Sequence, residues 1–206
     1  SILNGFEKTI SQKLVSFDGH IQIQHILGYS IPANQDSLNH YLNSHLTDLK
    51  AVPYIRKPVI LRKGQTFQSV LLEGISRQDA PSKMKALMKF GSAALNDDQC
   101  LLGKRLADEL GVMVGDKIVF TRMGAYTSRM NGSQIKQMTV GGLFQSGITE
   151  YDRSMVYTSL KDAEEFLSME EQISGISIHI TDEKNIREVT DDLFQILGYP
   201  YFITTW

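Results

Sequence analysis

Glu150 and Asp152 stand two residues apart in Gly147-Ile148-Thr149-Glu150-Tyr151-Asp152. On an extended segment they share a face, the arrangement used by paired-carboxylate catalysis when a substrate cleft and shifted proton affinities accompany it. A loop with a solvated acidic face accounts for the two residues with fewer requirements, and is the favoured reading. The five histidines are His20, His25, His40, His45 and His179. His40 and His45 are separated by roughly 140° on a helix, so they make no HExxH-like pair. His20 and His25 fall on opposite faces of a continued strand, and His179 is isolated, so structural roles are expected for all five. Cys100 is the only cysteine, which rules out an intrachain disulfide, a CxxC pair and a cysteine-rich zinc site, and suits a small buried hydrophobe. GxSxG, GxGxxG after a strand, the EF-hand loop and GxxxxGK[ST] are all missing from the sequence. The sequence assigns no catalytic, cofactor-binding or metal-binding residue.

The elements that would position any site follow from periodicity. Ile2, Leu3, Phe6, Ile10, Leu14 and Phe17 repeat at three- and four-residue spacing, predicting an amphipathic helix to about Ser16. Asp18-Gly19 breaks it, and His20 to Gln24 alternates as a half-buried strand. Asp36 or Ser37 is suited to cap a helix with a stripe of Leu38, Tyr41, Leu42, Leu46 and Leu49. Tyr54 to Leu61 and Gln68 to Ile75 then read as a hairpin about Lys63-Gly64-Gln65. The C-terminal stretch echoes that order, with a strand over 175–180, a cap at Thr181 or Asp182, a helix using Ile186, Val189, Leu193, Phe194 and Leu197, and a last strand over 199–203. Val52-Pro53-Tyr54-Ile55 is similar to Tyr199-Pro200-Tyr201-Phe202-Ile203, so two related β-α-β units are expected. Residues between about 76 and 171 have another texture: a polar helical segment near Pro81 to Phe90, a helix, turn and strand, a loop, a strand and a further helix. The expected organisation is therefore a discontinuous first subdomain, 1–75 and 172–206, with an insertion over 76–171.

Composition sets the outer limits. The chain has 206 residues, 42% hydrophobic and 21% charged, with a net charge of -2, the profile of a globular protein able to bury its own core. Basic residues are scattered, which removes the electrostatic case for nucleic acid. No run of about 18 apolar residues spans a bilayer. The chain opens at Ser1 in a helical pattern and closes at Trp206 in a strand pattern, which reads as a segment with cut ends.

Two stretches carry more than periodicity. In Gly103 to Ile118, Leu106, Ala107 and Leu110 would bury one helix face, Gly111 suits a left-handed helix end, and Gly115-Asp116 suits a turn into a strand. The second runs from Val140 to Asp152 and on to Met155-Val156-Tyr157, before a helix from Ser159. Asn4-Gly5-Phe6-Glu7, the GxxLAxxLGVxxGDxI pattern over 103–118, the GxFxxGxxEYD pattern over 142–152 and the terminal Trp206 together resemble the LolC/LolE group of ABC-transporter permeases, within the broader MacB-like periplasmic-core family. The resemblance implies an α+β fold: a discontinuous α/β porter-like subdomain near the membrane and an inserted, mixed, β-rich sabre-like subdomain. It places Asn4-Gly5-Phe6 just after one membrane helix and Trp206 just before the next, with the domain in the periplasm.

It further implies a non-catalytic domain that works with a cytoplasmic ATPase subunit and a second permease subunit. Lipoproteins would be extracted from the inner membrane and passed to a periplasmic lipoprotein carrier. LolC-type members dock that carrier on a protruding hairpin loop, and the matching position is Arg122 to Gly132, with Met123, Tyr126 and Met130 as anchors and Arg122 and Arg129 as cationic contacts. This loop lacks the prolines of the family's docking loop, and a surface hairpin without a partner fits it equally. A MacB-like export component and an FtsX-like regulator of a cell-wall hydrolase are the alternative functions.

Overall fold

The computed structural model describes residues 18–45, 48–123 and 135–205. The expected first helix, Asn4 to Glu7, Leu46 and Trp206 lie outside them. In chain order the elements are β1 (Ile21–His25), β2 (Ile31–Pro32), α1 (Asp36–Ser44), β3 (Leu49–Lys63), β4 (Thr66–Ile75), α2 (Ala80–Met84), β5 (Met88–Gly91) and β6 (Gln99–Gly103). There follow α3 (Lys104–Leu110), β7 (Lys117–Arg122), β8 (Ile135–Phe144), α4 (Thr149–Ser154), β9 (Met155–Ser159), α5 (Leu160–Leu167), β10 (Gln172–Ile173), β11 (Gly175–Ile180), α6 (Ile186–Leu197) and β12 (Tyr201–Thr205). The chain divides into two compact units, Ser1–Tyr54 with Glu171–Trp206, and Ile55–Glu170.

In the first unit the strand order is β12-β1-β11-β3, and every adjacent pair is antiparallel. β1 and β3 are therefore parallel with β11 between them, and β11 and β12 are parallel with β1 between them. The two β-α-β units interlock as a split β-α-β frame. Alternation explains the burial. Ile21, Ile23, Ile176, Ile178 and Ile203 share one face by register and are buried, and α6 packs against β12 and α1. The Pro-Tyr likeness between 52–55 and 199–203 does not mark equivalent positions: Pro53 pairs inside β3 with Ile176, whereas Pro200 precedes β12. Neither Asp36 nor Ser37 caps α1, because the helix already includes them; Gln35 holds the cap position without a side-chain bond, and Asp36 sits in the first turn, where a carboxylate favours the helix dipole. The helix ends at Ser44, so Leu49 belongs to β3 and not to the helical stripe. Asp182 does cap, but its carboxylate accepts from Lys184 N–H in a short 3-10 turn over Glu183–Asn185 that precedes α6.

The second unit is a closed barrel. β3 pairs with β4, β4 with β9, β9 with β6, β6 with β8, β8 with β7, and β7 again with β3. Closure leaves these strands without an unpaired outer edge; β5 adds to the far part of β8 beyond a register shift. The interior holds Val59, Leu61, Val70, Leu72, Ile118, Phe120, Met138 and Val140 from the strands, with Leu106, Ala107 and Phe166 from α3 and α5. A second core, Ile75, Ala80, Met84, Leu101, Phe144, Met155 and Tyr157, lies against the outside of β9, β6 and the end of β4, beneath α2 and α4. Residues 55–75 form two staves of this barrel, so the boundary expected at Ile75 falls instead at Tyr54. The helix expected over 81–90 stops at Met84, since Met88–Gly91 is drawn into strand pairing with Gly142 and Phe144.

Candidate partner-docking surface

The carboxylate pair separates on inspection of its surroundings. α4 occupies this stretch, so Glu150 and Asp152 do not share an extended face, and only one is solvated. Glu150 is exposed and lies 3.8 Å from Arg153. Asp152 is buried and accepts from Ser146 N–H and Oγ–H at 2.7 Å and from Gly147 N–H at 3.1 Å, closing the turn that enters α4. It is a loop clamp, not half of an acid–base pair. Cys100 is buried in the barrel, and burial pushes its thiol well up, away from the thiolate that reacts. His20 Nδ1 accepts from Ile180 N–H at 3.0 Å, His25 Nδ1 accepts from Leu27 N–H at 3.0 Å, and His45 stacks on Tyr41 with 4.4 Å between centroids. Among the described residues no three His, Cys, Asp or Glu side chains gather as metal ligands.

Periodicity gives no notice of two buried ionic clusters in the barrel unit. Glu73 is almost wholly buried between Arg56, which donates to it at 2.8 Å, and Lys83, which donates at 2.8 Å. Burial alone would raise its pKa, but the two cations outweigh burial and hold the carboxyl below the usual carboxylate range. Lys83 also lies 5.1 Å from the centre of the Tyr157 ring, and the Tyr157 and Tyr151 hydroxyls are hydrogen-bonded. Asp162 receives Ser159 Oγ–H at 2.7 Å and Lys136 at 3.0 Å, while Lys136 also meets Asp98 at 2.6 Å. Burial works against the charge on Lys136, and the two carboxylates more than offset it. These groups fasten α2 and α5 to strands. The signal that would have found Glu73 is its position in Val70-Leu71-Leu72-Glu73-Gly74-Ile75, a charge inside an otherwise apolar strand.

The first patterned stretch is structural down to its glycines. A Cβ on Gly103 would collide with the backbone carbonyl of Asp152, which ties the start of α3 to α4. Gly111 ends α3 at φ 64°, where a side chain is strained, and Asp116 accepts from Met113 N–H at 3.0 Å in the turn to β7.

Two of the hairpin positions, Arg122 and Met123, fall among the described residues. Arg122 ends β7 and donates to Ser168 Oγ at 3.1 Å. Met123 is more than half exposed. Tyr126, Arg129 and Met130 lie outside the described residues. The strands that lead to this segment, β7 and β8, are in register from Thr121↔Ile135 to Lys117↔Thr139, and they belong to the half of the barrel that no described helix covers.

The fold thus joins two compact units, a split β-α-β frame and a closed barrel carried within its sequence. The family model "MacB-like periplasmic core domain" matches residues 1–196, and the chain belongs to that family. Over its whole length it is 27% identical to the lipoprotein-releasing system transmembrane protein LolC of Xylella fastidiosa strain 9a5c, covering 50% of that protein. Over 94% of its length it is 28% identical to LolC of Neisseria meningitidis serogroup B, covering 48% of it. LolE of Haemophilus influenzae is 24% identical over 98% of the chain. Among solved structures, the periplasmic region of MacB from Actinobacillus actinomycetemcomitans superposes with a TM-score of 0.60 at 15% identity, covering 96% of this chain and 94% of that one. The extracellular domain of the noncanonic ABC-type transporter YknZ from Gram-positive bacteria gives 0.58 at 14% identity, covering 90% of this chain and 99% of that one. The chain is thus a periplasmic domain of a LolC/LolE-like ABC-transporter permease, and it spans about half the length of the curated relatives it matches. No helix among the described residues is long and apolar enough to cross a membrane.

Proposed function

We propose that this domain couples ATP hydrolysis by a separate cytoplasmic ATPase chain to the release of lipoproteins from the inner membrane, and that it docks a periplasmic lipoprotein carrier. The observation that carries this reading is the alignment of the whole chain with about half of a transmembrane protein of a lipoprotein-releasing system. Ser1–Tyr54 with Glu171–Trp206 would serve as the porter-like part and the barrel as the sabre-like part. A second permease subunit would stand beside it. Its work is mechanical: the frame moves with the membrane helices, the barrel presents the docking surface, and no bond is made or broken here.

A MacB-like export role is the second reading, supported by the likeness of fold to the periplasmic region of MacB. Calorimetry of the purified domain against the organism's periplasmic lipoprotein carrier separates the two. The release reading expects saturable binding that a Met123→Ala/Tyr126→Ala/Met130→Ala variant weakens at least tenfold while keeping its far-ultraviolet dichroism. An absence of binding by the unaltered domain would overturn carrier docking and favour export.

A further inference from the structure

The two end strands of the sheet order, β12 and β5, treat their outer edges differently. Along β5 the edge is guarded: Lys89 stands in it, a register shift falls between Met88 and Phe90, and Gly91 turns the backbone to φ 74°. A charge, a bulge and a bend are the devices that keep a bare strand from pairing with another chain. β12 has none of them. Tyr201–Thr205 pairs with β1 without a shift, and 193–206 carries no charged residue. Among the described residues no strand pairs with its outer side.

The hydrogen bond from Ile26 N–H to Pro200 C=O, at 2.9 Å, sets which backbone groups point outward. It makes Ile26 and Pro200 a hydrogen-bonding pair, so alternation commits Phe202 and Thr204 to β1 and turns the N–H and C=O of Ile203 and Thr205 to the open side. Tyr201 N–H is taken by Gly198 C=O at 3.0 Å, which leaves the Tyr201 carbonyl to the same side. The flank beside Thr205 carries both signs of charge, with Glu183, Lys184, Arg187 and Asp191 around it. Arg187, Asp191 and Phe194 follow one another at helical spacing along α6. Phe194 is 49% exposed and Phe202 46%.

We infer that β12 is a pairing edge for a second copy of this chain, the two strands running antiparallel about a two-fold axis at Ile203. In that register Ile203 exchanges both of its backbone bonds with Ile203 of the second copy, and each Thr205 N–H meets the Tyr201 carbonyl opposite. Every outward group except the Thr205 carbonyl is then used. Phe202 lies across from Thr204 in a non-hydrogen-bonded pair, where side chains stand closest, so the exposed ring gains a neighbour. A two-fold contact sets each patch against itself. An uncharged strand beside a flank of mixed sign meets its own copy without a block of like charge.

The inference goes beyond both functional readings, since neither carrier binding nor its absence bears on it. Sedimentation equilibrium of the domain should show a reversible dimer. Thr205→Pro removes an outward N–H and leaves the bonds to β1 in place. It should weaken the dimer roughly tenfold, the weight of two hydrogen bonds, at an unchanged urea midpoint, while Thr205→Val, which keeps the N–H, should not. Phe202→Lys plants a charge on the edge and should abolish pairing. Oxidation of mixed Phe202→Cys and Thr204→Cys chains should give the mixed disulfide in excess over either symmetric one, with buried Cys100 taking no part. A monomer at every concentration up to the solubility limit overturns the inference and leaves the edge to a strand of another protein. A dimer that Thr205→Pro and Phe202→Lys both leave intact, or one that gives no excess of the mixed disulfide, overturns it equally by placing the contact elsewhere.

Discussion

Strand β4 belongs to two different environments. Its first half, Thr66 to Val70, lies on a barrel wall covered from the inside only, while Leu72 to Ile75 is buried without a break. β9 is buried at all five positions, between the barrel interior and the α2–α4 layer. Strands covered on both sides read as continuous apolar runs, and strands covered on one side alternate. The lesson lies in the exception, because Phe67 on β4 and Ile135 on β8 are more than half exposed where alternation calls for polar side chains. One half of the barrel is closed to serve stability, and the other keeps apolar surface that stability does not explain.

Three perturbations sharpen this contrast, in order of size. Tyr157→Ala, in the doubly covered half, should cost about 4 kcal/mol, the penalty of removing a buried ring, measured as a fall in the urea midpoint with an unchanged slope. A cost below about 1 kcal/mol would mean that the α2–α4 layer adds little.

Next, Glu73→Gln leaves Arg56 and Lys83 facing a neutral side chain and should cost about 3 kcal/mol near neutral pH. Because the folded carboxyl is held below its unfolded value, its stabilisation is present above the ordinary glutamate range and is lost as pH falls through the depressed folded value. The gap between wild type and variant should therefore narrow on acidification. A gap independent of pH between neutrality and strong acid would refute the ion-pair account.

The smallest effect separates the carboxylates of α4. Asp152→Ala should cost about 2 kcal/mol, since Ser146 and Gly147 lose a buried acceptor. Glu150→Ala should stay within about 0.5 kcal/mol, as surface changes do. Equal thermal shifts for the two variants would contradict the assignment of Asp152 as the clamp.

Much of the frame is legible in the sequence because its signals are local. The alternation over His20 to Gln24 and over 175–180, and the 3.6-residue stripe from Ile186, each point to the element that forms. The left-handed Gly111 and the turn at Asp116 are legible for the same reason. What escapes is set by distant partners. Met88–Gly91 takes strand geometry only because β8 accepts it. Asp152 turns inward because Ser146 and Gly147 offer donors, while Glu150 has no such inducement. Barrel closure depends on β7 reaching both β3 and β8, which no window of residues displays.

The frame encloses the barrel in sequence, and this imposes an order on assembly. Every barrel pairing lies within the continuous stretch Ile55–Glu170, so that stretch holds all the partners it needs once synthesised. β1 is made first yet pairs with β11 and β12, which are made last. During synthesis from the N-terminus, β1 and α1 must wait with their apolar faces unpaired until the barrel has emerged. A barrel that folds early shortens the effective loop that β1 must close, lowering the entropic cost of completing the frame. The inserted unit thus acts as an internal splint for the domain that hosts it.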